Sequence, residues 1–131
     1  MERLAAMLAT HPEPARSDRD DVMKTIYVLL ECAHICQVCA DACLYEGGDM
    51  TDCIQSDLDC ADICRTAATI LSRPGRRSYA TLVALLETCT VACRECAEAC
   101  EQHDHEHCRR CAEVCRDCEK ACRNLKSGLA A

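Results

Sequence analysis

The chain has no tryptophan, no phenylalanine and only three tyrosines in 131 residues. Leu, Ile and Val together number 23, about 18% of the chain, which is just under the level where disorder competes with folding. An ordinary aliphatic and aromatic core is therefore excluded. Basic charge is also short: 15 Lys and Arg face 22 Asp and Glu, for a formal net charge of −7. That excludes nucleic acid as a main partner and suits a protein that handles cations. No uninterrupted run of 18 apolar residues occurs, so no membrane span and no membrane partner are expected. Residues 1–21 lack a basic stretch followed by an apolar one, and Arg76-Arg77 is internal. Neither a general secretory nor a twin-arginine leader is expected, and the expected location is cytoplasmic, where thiols stay reduced.

What is abundant is cysteine: sixteen residues, about 12% of the chain and well above ordinary usage. Sixteen Cys without an export signal read as metal ligands sooner than as eight disulfides. Proline occurs only at Pro12, Pro14 and Pro74, leaving four long segments free of helix breakers and rich in Ala, Leu, Glu, Arg and Lys. A short N-terminal helix is expected over residues 1–9, followed by a linker, so that 1–16 form an appendage to a bundle at 17–127. The first long helix starts at a Ser17 cap, with Asp18, Asp20 and Asp21 in its first turn, and stops near Glu46 at Gly47-Gly48. The second runs from residues 49–51 to just before Ser72. The third runs from Ser78 to about Gln102, and the fourth from Asp104 to just before Gly128. Short loops between long helices predict an all-α, up-down-up-down antiparallel four-helix bundle.

The chain repeats itself. Cys32, Cys36, Cys39 and Cys43 map onto Cys89, Cys93, Cys96 and Cys100 at a constant offset. Cys53, Cys60 and Cys64 map onto Cys111, Cys118 and Cys122, while Met50 stands where Cys108 stands and Asp57 where Cys115 stands. Within each helix these positions step by three and four, so they share one stripe. All sixteen thiols are therefore expected on the bundle axis. Bridges between i, i+3 or i+4 cysteines of one helix are strained, which weighs against a disulfide scaffold. Cys32-Cys36-Cys39 matches an iron–sulfur ligand string, but the string recurs simply because helical stripes step by four and three. Massed soft thiolates select Cu(I), and also Zn(II). Sixteen thiolates neutralise sixteen Cu(I) ions, whereas about four tetrahedral Zn(II) ions leave a buried charge of about −8.

These four stripes resemble those of the bacterial four-helix-bundle copper storage proteins, specifically their cytosolic branch. The resemblance spans about Ser17 to Lys126. It implies a non-enzymatic protein that stores and detoxifies Cu(I), with many ions per chain, and that associates as a homotetramer. Asp57 and the low methionine content depart from a pure thiol lining. A zinc or cadmium thiolate buffer is the alternative in the same chemistry; a copper-sensing regulator, which needs few ligands and a basic face, is a more distant one.

The two ends of the bundle should differ. Val28, Leu29, Ala67, Leu71, Leu82, Leu85 and Leu86 continue the stripes as an aliphatic plug. The opposite end carries His103, His105, His107 and Met50. Of these, His103, His107 and Met50 are candidate Cu(I) ligands and the expected entrance for copper delivered by a copper chaperone or a small thiol. His34 points away from the stripe, and Asp57 is expected to be a hydrogen-bond acceptor or channel group.

Overall fold

The computed structural model describes residues 2–13 and 19–130. It contains a short helix α1 (Glu2–Ala9) and four long ones: α2 (Arg19–Cys43), α3 (Thr51–Leu71), α4 (Ala80–Glu101) and α5 (Glu106–Ala130). The expected Ser17 cap and Asp18 lie outside the described residues. Each long helix packs on its two neighbours in a closed ring: α2 on α3, α3 on α4, α4 on α5 and α5 on α2. This is the antiparallel bundle that the short connections dictate.

The α2–α3 turn passes through Gly48 at φ +86°, a left-handed conformation that glycine adopts without steric cost. Asp49 Oδ1 then accepts the Thr51 amide at 3.0 Å and starts α3. Ser78 Oγ does the same for the Ala80 amide at 3.3 Å and starts α4.

The fourth long helix does not stop before Gly128, as the glycine suggested; it continues to Ala130. One exposed glycine in a helix costs about 1 kcal/mol relative to alanine. Leu125 and Leu129 are both buried on the inner face, and burying each gives back roughly 1.5–3 kcal/mol. The packing outweighs the local preference.

The aliphatic plug forms, with changed membership. Leu29, Ala67, Leu71, Leu82 and Leu86 are buried, whereas Val28 and Leu85 are only partly so and flank the cluster. Ile26, Met23, Leu125 and Leu129 complete it. Leu4, Ala5 and Leu8 of α1 pack against the core from outside. The segment after α1 reaches the α3–α4 loop. A Cβ on Gly75 would sit 2.8 Å from His11 Cε1, so a larger residue there would displace the His11 ring. Arg19 Nη1 ties the segment down by donating to the Ala9 carbonyl at 2.9 Å.

By length and composition α2 is apolar enough to cross a membrane, with a mean hydropathy of 1.4 over 18 residues. The average is high because Cys, Ile, Val and Leu crowd one helix. Ile26, Leu29, Cys32, Cys36, Cys39 and Cys43 face the bundle interior instead.

Because the plug and the helix propensities need no metal, the reduced metal-free chain is expected to be helical. A far-ultraviolet circular dichroism spectrum of the apo-protein should show a strong helical signature. A random-coil spectrum would mean that metal drives the folding, as in zinc fingers.

Candidate metal centre

All sixteen cysteines are buried and none is disulfide-bonded. Stepping by three and four, each stripe keeps its sulfurs on the inner face, and the antiparallel ring brings four stripes together. Adjacent helices meet sulfur to sulfur. Cys43 and Cys53 lie 3.7 Å apart, Cys53 and Cys100 3.4 Å, Cys64 and Cys93 3.6 Å, and Cys36 and Cys115 3.6 Å. Diagonal pairs also touch, with Cys36 and Cys96 at 3.9 Å and Cys64 and Cys118 at 3.9 Å. At these separations one ion can meet thiols from two or three helices. The groupings Cys32/Cys60/Cys64/Cys93, Cys32/Cys36/Cys60/Cys115 and Cys36/Cys96/Cys111/Cys115 each hold their ligand atoms within 4.8 Å of one another. Cys89 and Cys122 lie at the plug end of the column, where Cys89 Sγ donates to the Ile63 carbonyl at 3.8 Å.

Burial is the dominant influence on the outermost thiols. It pushes Cys108 up to about 12 and raises Cys43 and Cys53, because a thiolate without a partner is poorly solvated there. The metal-free thiols at this end therefore hold their protons at neutral pH and release them to an arriving metal.

Asp57 is fully buried and works as the expected hydrogen-bond acceptor. Cys96 and Cys111 donate to Asp57 Oδ1 at 3.0 and 3.2 Å, Cys100 does so at 3.7 Å, and Cys53 donates to Oδ2 at 3.9 Å. Burial raises this carboxyl to about 8. Folded Asp57 thus holds its proton more tightly than unfolded Asp57. Its favourable contribution is complete below about pH 4 and is lost as pH rises through about 8. Replacing Asp57 by Asn should remove that loss. The melting temperature of metal-free Asp57→Asn should exceed wild type by more at pH 8 than at pH 5. A difference that is the same at both pH values would contradict the assignment.

The loop end brings the histidines together. His103, His105 and His107 form a ladder, with ring centroids 6.3 Å apart at 12° and then 5.5 Å apart at 5°. Only the innermost rung is in hydrogen-bonding range of thiols: His107 Nδ1 lies 3.4 Å from Cys39 Sγ and 3.6 Å from Cys108 Sγ. His103 is half-buried and meets His105 instead. Met50 is buried at the start of α3 and belongs to the core cluster. His34 is exposed.

Sequence reasoning missed Glu46. Its Oε2 lies 2.8 Å from His107 Nε2 and 3.0 Å from His105 Nδ1. Glu46 reads as the end of a helix until the two hairpins are paired, which sets the α2–α3 turn opposite the histidine turn.

The family model for copper storage proteins matches residues 18–127. The uncharacterized cysteine-rich protein YhjQ of Bacillus subtilis (strain 168) is 31% identical over 104 residues, which cover 76% of this chain and 91% of that protein. The copper storage protein Ccsp from Streptomyces lividans, loaded with 10 copper equivalents, is 42% identical with a TM-score of 0.91, covering 96% of this chain and 99% of its own. A cytosolic copper storage protein from the same organism, carrying five coppers, is 44% identical with a TM-score of 0.81, covering 84% and 95%. With sulfur lining every helix of such a bundle and a match over nearly its whole length, this chain belongs to the copper storage protein family.

Proposed function

We propose that this protein stores and detoxifies Cu(I) in the cytosol, holding many ions per chain on cysteine thiolates, and that it is not an enzyme. The observation that carries the reading is the continuous column of sixteen buried, unbridged thiols. Such a column offers each ion two or three soft ligands, the number Cu(I) accepts, and lets each sulfur bridge two ions. The ligands are Cys32, Cys36, Cys39, Cys43, Cys53, Cys60, Cys64, Cys89, Cys93, Cys96, Cys100, Cys108, Cys111, Cys115, Cys118 and Cys122, with His107, His103 and Met50 at the mouth. A copper chaperone or a small thiol is the donor, and ions then pass inward by thiolate exchange. Val38 on α2, and Leu44 and Tyr45 in the turn that follows it, are 67%, 67% and 86% exposed. An exposed apolar strip of this kind supports association into the homotetramer.

The aliphatic plug closes one end, so copper enters past the histidines. Replacing His103, His107 and Met50 together by apolar residues should slow Cu(I) loading in stopped-flow while lowering final capacity by only a few ions. Opening the plug with Leu82→Ala should leave the loading rate unchanged. The reverse pattern, a triple variant at the native rate and a faster Leu82→Ala, would place the entrance at the other end.

A further inference from the structure

The sulfur column is not chemically uniform. At the mouth, Cys39 and Cys43 Sγ lie 4.0 Å apart on successive turns of α2. His107 Nδ1 is 3.4 Å from Cys39 Sγ and 3.6 Å from Cys108 Sγ. All four ligand atoms of Cys39, Cys43, His107 and Cys108 lie within 4.8 Å of one another. A tetrahedral zinc ion, with Zn–S of about 2.3 Å and Zn–N of about 2.0–2.1 Å, requires S···S edges of about 3.8 Å and S···N edges of about 3.6 Å. The three distances match those edges closely, without metal.

Two further features favour a divalent ion there. With His107 Nε2 donating to Glu46 at 2.8 Å, the neutral ring presents an unprotonated Nδ1 to the sulfurs. This is the carboxylate–histidine–metal arrangement that orients zinc ligands. His107 and Cys108 also stand in the first turn of α5, where the positive end of the helix dipole offsets thiolate charge. Three thiolates and one divalent cation leave a single negative charge beside the partly exposed His107, unlike the large buried charge that zinc would leave in the interior.

We propose that Cys39, Cys43, Cys108 and His107 form a Cys₃His site for one divalent cation of the zinc class, which stoppers the copper-free bundle and is displaced when Cu(I) loads. The inference rests on the storage reading only for that displacement. The neighbouring grouping Cys39/Cys53/Asp57/Cys100 shares Cys39, so the mouth holds one such ion and not two.

Cobalt(II) is the probe, because in tetrahedral thiolate sites it absorbs in the visible and zinc displaces it. Anaerobic titration of the reduced, metal-free full chain should give one tight equivalent of cobalt with a tetrahedral thiolate spectrum, bleached by one equivalent of Zn(II). Glu46→Gln should weaken that equivalent roughly 10- to 100-fold, and His107→Gln should weaken it further and change the spectrum. Cys122→Ser, at the plug end, should leave it intact. Circular dichroism confirms that each variant is folded. Several equivalent cobalt ions per chain, a spectrum indifferent to His107→Gln, or loss of the site in Asp57→Asn would overturn the proposal. Cu(I) capacity, measured separately on the wild-type chain, tests the storage reading: a low capacity with an intact cobalt site would sink storage and leave the divalent site standing.

Discussion

Titrated anaerobically with Cu(I) against a coloured Cu(I) chelator, the reduced metal-free chain should saturate at on the order of 16 ions per chain. The number follows from charge and connectivity together. If each ion has two thiolate ligands and each thiolate bridges two ions, copper and sulfur match one to one. Sixteen thiolates are then neutralised in an interior where net charge is costly. Sulfurs 3.4 to 4.0 Å apart along and across the helices are placed for such bridging. His107 and Met50 add at most a few sites. Since burial keeps the outer thiols protonated, loading should release about one proton per thiol engaged, readable in a pH-stat. Saturation near four ions, with Zn(II) outcompeting Cu(I), would instead establish a zinc buffer.

The second large effect is on stability. Leu86 is completely buried at the junction between plug and sulfur column, as are Leu29 and Ile26. Leu86→Ala should destabilise the metal-free bundle by about 2–5 kcal/mol, because the lost methyl groups leave a cavity that rigid helices fill only partly. For a chain of this size that lowers the apo melting temperature by on the order of 10 °C. Copper loading should raise the melting temperatures of the variant and of wild type alike, because ions that bind the folded state add their binding free energy to its stability. Copper capacity should be unchanged, since no thiol is removed. An apo melting temperature within a degree or two of wild type would show that the sulfur column, and not the plug, holds the empty bundle together.

The helix count, the pairing order and the inward aim of all sixteen cysteines were legible because periodicity is a local property. Steps of three and four on a proline-free segment leave one stripe, and the fold has little freedom in where to put it. The end of α5 was not legible, because Gly128 reads as a stop and only the burial of Leu129 shows otherwise. Plug membership was blurred for a similar reason. Val28 and Leu85 lie at the stripe's edge, where a rotation of tens of degrees decides burial. Asp57 was recognisable as a replaced thiol, yet its four thiol donors belong to three different helices. Glu46 carried no local signal at all. It lies 61 residues from His107, and only the packed hairpins bring them together.

The plug makes the sulfur column a blind tube. Cys89, Cys64, Cys118 and Cys122 stand at its floor, Cys43, Cys53 and Cys108 at its brim. A reservoir filled and emptied through one opening keeps an order of arrival: the first copper settles deepest and leaves last. Chains charged with one stable copper isotope and topped up with another should give back the second ahead of the first. In a cell, the metal on call would be the most recent arrival, and the oldest would form a standing reserve renewed only when demand runs through everything above it.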